Sequence, residues 1–186
     1  MTKALKKDAT YADLFTIPEN YVGEILGGEL YAFPRPAFPH AFSASALGIK
    51  IGGAFQFGVN GPGGWLVLDE PELKLRDDVL VPDLGAWRKE RLPAVSTGEY
   101  PAMAPDWVCE VLSPSTERID RAKKLAIYAR EGVRYAWLVD PLKETLEVLG
   151  LETSRWTLLA AHDADARVRA EPFTAIELDL GSLWAR

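Results

Sequence analysis

A chain of 186 residues, 48% apolar and 26% charged, is long enough to bury one sizeable core and too apolar for a disordered polypeptide. Its single cysteine, Cys109, excludes an internal disulfide framework and a multi-cysteine zinc site, and two histidines, His40 and His162, argue against a histidine-rich metal centre. The formal net charge of -6 argues against a protein that grips nucleic acid by bulk electrostatics, unless Arg88, Lys89, Arg91, Lys123 and Lys124 gather near one site.

No composition shift divides the chain, so one domain over residues 1–186 is expected, with about the first ten residues frayed. Without an apolar leader core or a run of ~18 apolar residues, the expectation is a cytoplasmic protein that spans no membrane. YVGEILGGELYAF, residues 21–33, predicts a short hairpin around its Gly-Gly step. After the PRPAFPH interruption, Phe42, Ala46, Ile49, Gly53 and Phe57 recur at helical spacing and predict an amphipathic helix from His40 to about Phe57. The glycine-rich stretch 58–64 ends it.

Two strand-like segments follow, WLVLDEPELKLR and VLVPDLGAWR, with a turn at Asp77 and Asp78. A loop rich in proline and glycine, about Lys89 to Pro105, leads to the apolar strand DWVCEVL. SPSTERID then offers helix N-caps, and a helix is predicted from about Asp120 to Arg130, stopped by Gly132. VRYAWLVD predicts a strand, TLEVLGL and RWTLLAA an antiparallel pair, and EPFTAIELDLGSLW an extended tail with a terminal turn. This order predicts an α/β sheet with helices on its faces.

The chemically informative residues are acids in apolar company. Glu110 lies within Trp107, Val108, Cys109, Val111 and Leu112, a run apolar enough for a central strand buried on both faces. An unpaired carboxylate there would cost several kcal/mol, so something must compensate it. Asp83 poses the same question between Leu80, Val81, Pro82, Leu84 and Ala86, where Pro82 removes a ladder donor and points to an irregular or edge position. Two such acids on neighbouring strands would make an oxygen-rich site suited to magnesium or manganese, whereas an acid that merely ends its strand or pairs with an arginine would explain either one alone. Lys124 follows Asp120 by four positions on the predicted helix. That spacing describes an ordinary surface bridge, but also a lysine carried back across the C-terminal end of the strand bearing Glu110.

VPD ending in Asp83, CEVLSPST with Glu110, DRAKK with Asp120 and Lys124, AIYAREGV and YAWLVDP together resemble the Uma-type putative restriction endonuclease family of the PD-(D/E)XK nuclease superfamily. The likeness runs from the GGEL hairpin and His40 to about Leu149. It implies a restriction-endonuclease-like α/β core, a mixed central sheet of about four strands flanked by helices, with additional N- and C-terminal strands. It implies metal-dependent hydrolysis of DNA phosphodiester bonds, with magnesium or manganese held by Asp83, Glu110 and the Val111 carbonyl, and with Lys124 as the catalytic lysine. In the superfamily pattern a lysine follows the second acid by two positions; Leu112 stands there in this chain, and Lys124 would act from the helix instead. Glu29, His40 and Asp120 are the further candidates beside the site, and a homodimer would suit cleavage of both strands. A binding or assembly module that keeps the fold without cleavage is the competing expectation, since the acidic balance leaves DNA affinity unexplained.

Overall fold

The computed structural model describes residues 3–92 and 103–186, so most of the expected proline- and glycine-rich loop lies outside the described residues. Lys6–Lys7, in the stretch expected to fray, form a short strand β1 along Leu30 and Glu29, and Lys6 is anchored further by an ion pair to Asp13 at 2.6 Å. A single helical turn α1 (Tyr11–Leu14) leads into the predicted hairpin, β2 (Tyr21–Leu26) and β3 (Glu29–Pro34). Gly27 and Gly28 turn it with φ of 62° and 75°, a left-handed pair open to residues without a Cβ.

Helix α2 (Phe38–Ile51) runs on into a π turn at Gly52–Gln56. The helix was expected, but its orientation is reversed. Leu47, Ile51, Ala54 and Phe55 face the core, while Phe42, Ile49 and Phe57, read above as the apolar face, are exposed at 38%, 75% and 72%. The inward face also contains Ser43, fully buried because its hydroxyl donates to the Leu183 carbonyl at 2.6 Å.

Each of the next two expected strands splits in two. β4 (Trp65–Asp69) and β5 (Leu73–Leu75) are separated at Glu70 and Pro71, and β6 (Asp78–Leu80) and β7 (Leu84–Arg88) are separated around Pro82. β5 and β6 join the hairpin in a five-stranded antiparallel sheet ordered β1-β3-β2-β6-β5. β4 and β7 enter the main sheet with β8 (Trp107–Val111). The helix predicted from Asp120 starts earlier, as α3 (Glu117–Ile119), a π turn at Asp120–Lys124 and α4 (Leu125–Arg130) in one continuous rod. Gly132 follows it with φ of 77°, the left-handed stop predicted for it.

β9 (Tyr135–Asp140) lies parallel to β8, and β10 (Thr145–Glu152) and β11 (Arg155–Asp163) continue antiparallel as predicted. The result is a mixed six-stranded sheet ordered β11-β10-β9-β8-β7-β4. A β-bulge between Val148 and Leu149 breaks the register with β11, which twists and blunts this exposed edge. The tail adds a small pair, β12 (Arg167–Val168) with β13 (Leu178–Asp179), and a 3-10 turn at Leu180–Leu183.

Period-two alternation on β8 divides the core. Trp107, Cys109 and Val111 pack with α2 and the C-terminal segment on one face, while Val108 joins α4 and the hairpin sheet on the other. Glu110 shares the second face, so its carboxylate is aimed between two layers and not at water. No helix among the described residues is long and apolar enough to cross a membrane.

Candidate active site

The break at Pro82 matters because it bends the chain just where β6 leaves one sheet and β7 enters the other, setting Asp83 at the seam. β8 is paired with β7, its Cys109 lying opposite Leu84, so Asp83, in the bend one residue before β7 and not on a strand as expected, still lies beside the strand that carries Glu110. Between the two sheets and the helical rod opens a pocket of about 320 Å³. Glu24, His40, Val81, Asp83, Glu110, Val111, Asp120 and Lys124 all line it.

Lys124 lies at the inner end, only 4% exposed. Its ammonium donates to Glu110 Oε2 at 2.8 Å and to the Val81 carbonyl at 3.2 Å, and lies 3.1 Å from Glu24 Oε1 and 3.9 Å from Asp120 Oδ1. The Tyr128 hydroxyl, one turn further along the rod, donates to Glu110 Oε1 at 2.6 Å. At the outer side, Asp83 Oδ2 accepts from the Val111 N–H at 2.7 Å, and His40 Nε2 lies 3.3 Å from Asp83 Oδ1.

Glu24, Glu110 and Asp120 are three buried carboxylates around one ammonium. Burial pushes the Glu110 carboxyl well above the usual carboxylate range, against the opposing pull of Lys124. Burial works against the charge on Lys124, but Glu110, Glu24 and Asp120 hold its ammonium well above the ordinary lysine value. Tyr128 is raised well above a free phenol by burial and by Glu110, so it remains a proton donor. His40 is raised because Asp83, with help from Asp120 and the Val111 backbone, outweighs the effect of its burial.

Asp120 is pushed up to about 6, by burial first and by Glu24 and Asp83, with Lys124 and a hydrogen bond from Thr116 opposing. Between its unfolded value near 3.8 and about 6 the folded chain retains a proton that the unfolded chain releases. Stability from this group is therefore complete below pH ~4 and declines as pH rises to ~6, by up to about 3 kcal/mol. Asp120→Asn is expected to match the parent at pH 4 and to exceed its stability at pH 7–8. Urea unfolding in chelator-treated buffer at both ends checks this; a variant less stable at pH 8 would refute it.

A hard divalent ion fits the donor chemistry here. The atoms available as donors are carboxylate and carbonyl oxygens, three buried carboxyl groups surround one lysine, and Glu24 Oε2 is buried with no hydrogen-bond partner among the described residues. No group of three or more His, Cys, Asp or Glu among the described residues forms a ready cage, because the carboxylates close on Lys124 instead.

Of the residues singled out from sequence, Asp83, Glu110, Val111, Lys124, His40 and Asp120 meet at this pocket. Glu29 does not. It follows the hairpin turn, accepts from the Tyr31 hydroxyl at 2.6 Å and pairs with Lys123 at 3.0 Å, away from the pocket. Glu24, which sequence reasoning passed over, takes the place on the hairpin. Its neighbours Val22, Ile25 and Leu26 gave the same signal that exposed Glu110, an acid inside an apolar strand. The basic residues Arg88, Lys89 and Arg91 do not gather here either, since β7 runs away from Asp83 and delivers them to its far end. Arg91 pairs there with Asp106 at 2.6 Å, and Lys89 donates to the Gln56 carbonyl at 3.2 Å.

Residues 10–181 match the Uma2 family model, described as a putative restriction endonuclease. The fold matches the crystal structure of a putative nuclease belonging to DUF820 from Anabaena variabilis, with a TM-score of 0.73, 22% identity, and coverage of 95% of this chain and 97% of that one. At that identity the likeness bears on the fold alone. A search of curated proteins returned no match. With the family model covering nearly the whole chain and the six-stranded mixed sheet in agreement, the protein belongs to the Uma2 family of putative restriction endonucleases.

Proposed function

We propose that the pocket is the active site of a divalent-metal-dependent endonuclease that hydrolyses DNA phosphodiester bonds, built on a single domain over residues 1–186. The observation that carries this reading is the Lys124 ammonium, held between Glu110 and Glu24 at the inner end of a pocket whose outer side presents Asp83. Asp83 and Glu110, with Glu24 and the Val111 carbonyl, would hold magnesium or manganese, which when bound supplies a Lewis acid for the scissile phosphate and the attacking water.

The residues of the chain do the rest. Lys124 brings its positive charge to the side of the pocket where negative charge develops on the phosphate, and its four oxygen neighbours fix its direction before substrate arrives. Tyr128 holds Glu110 in one rotamer by occupying Oε1. The Val111 N–H and His40 do the same for Asp83. Closely held groups of this kind lower the reorganisation needed at the moment of reaction.

The test is calorimetric titration with magnesium or manganese, followed by incubation with supercoiled plasmid, linear DNA, RNA and a small phosphodiester. Metal-dependent nicking of plasmid, stopped by chelator, is the expected result. Metal binding with no cleavage of any substrate would assign the pocket to a binding module. Cleavage of the small phosphodiester alone would remove DNA from the proposal.

A further inference from the structure

The outward face of α2 carries large apolar side chains that nothing among the described residues covers. Phe38, Phe42, Ser45 and Ile49 follow one another at spacings of four, three and four residues, the a/d rhythm of a helix that packs along another helix. Phe38 is 72% exposed and Ile49 75%, and the stripe continues to Phe57, also 72% exposed. The three phenylalanines alone leave roughly 300–450 Å² of apolar surface in water. Such an area reaches the size of the largest patch on an ordinary monomer and about half of what one partner contributes to a standard interface.

We propose that this face is the interface of a homodimer, in which α2 packs antiparallel against α2 of a second copy about a dyad between Ser45 and Ala46. The sequence is self-complementary in that register. Phe42 falls opposite Ile49, small Ser45 opposite small Ala46, and bulky Phe38 opposite Gly53. Gly53, partly exposed, has nothing within 4 Å of where a Cβ would stand, so there is open space for the incoming phenyl ring. A Gly-Gly step inside a helical rod weakens it and calls for a close approach to justify it. Charge agrees as well. Apart from His40, α2 carries only Lys50 as a titratable residue, and in this register Lys50 faces Ala41, so no like charges oppose. The isologous arrangement closes on itself and leaves no open chain of contacts. None of this depends on the chemistry assigned to the pocket.

Sedimentation velocity of the full chain across a micromolar series is expected to show a monomer of 20.5 kDa in equilibrium with a species of twice that mass. Ile49→Glu is expected to weaken the association by about tenfold or more, with an unchanged circular dichroism melt because the position is exposed. Ser45→Cys is expected to crosslink as a dimer under diamide, whereas the parent does not, its only thiol, Cys109, being fully buried. A parent that stays monomeric throughout the series overturns the proposal. So does a dimer that Ile49→Glu leaves intact and Ser45→Cys fails to crosslink.

Discussion

Lys124→Met is expected to destabilise the metal-free chain by about 3–5 kcal/mol at pH 8, the range for removing one partner from a buried ionic cluster. Methionine fills most of the volume, so the cost is electrostatic. It removes the donor to Glu110 Oε2 and the Val81 carbonyl and leaves Glu24, Glu110 and Asp120 to repel one another at the nearly buried inner end of the pocket. Protonation relieves that repulsion, and the loss should shrink toward pH 5 as the carboxyls take up protons. Urea unfolding of parent and variant at the two pH values measures both parts. A loss below about 1 kcal/mol at pH 8 would mean that the cluster is already neutral in the folded chain and that Lys124 is not its counter-ion.

Asp83→Asn is expected to lower metal-dependent DNA cleavage by about 10³-fold while leaving the melting temperature within a few degrees of the parent. The two outcomes separate because asparagine keeps an oxygen for the Val111 N–H, the contact that ties Asp83 to β8, yet loses the charge an ion would meet. Plasmid nicking rates, with calorimetry for metal affinity, read the chemical role, and thermal unfolding reads the structural one. Full cleavage by the variant would remove Asp83 from the site, whereas a collapse in melting temperature would make it a structural residue.

Much of this arrangement was legible in the sequence where a residue contradicts its surroundings. Glu110 stood out because four of its five strand residues are apolar, and Pro82 announced the break that sets Asp83 at the junction of two sheets. Glu24 carried the same mark, whereas Glu29, on the strand leaving the turn at Gly27 and Gly28, rested on the family likeness and not on its surroundings. Lys124 came from the family likeness, since a lysine at i+4 from an aspartate describes a surface pair equally well.

What sequence periodicity left open was direction. Both long faces of α2 are apolar, so spacing established a helix without telling which face meets the sheet. The choice turns on contacts far away in the chain: Ser43 reaching Leu183, and Gly48 lying so close to Asp69 and Leu84 that an added Cβ would come within 3.0 Å and 3.4 Å of them. The division of two continuous strand segments between two sheets was equally invisible. Each half has a strand's alternation, and only the packing of the layers decides where it belongs.

The π turn at Asp120–Lys124 makes the count of residues part of the site. A π turn accommodates one residue more than an α-helical turn, and each residue of a helix rotates the next by about 100°. The connection from Glu110 through Thr116 fixes one end of the rod, and the burial of Tyr128 fixes the other. A deletion at Ala122 would let the π turn relax to an α-helical one with both ends in place, whereas a deletion at Ala126, beyond it, would preserve every named side chain and still rotate Tyr128 by about 100° away from Glu110. Substitution can thus test what each group contributes, but only a change of length tests the phase in which the helix presents them.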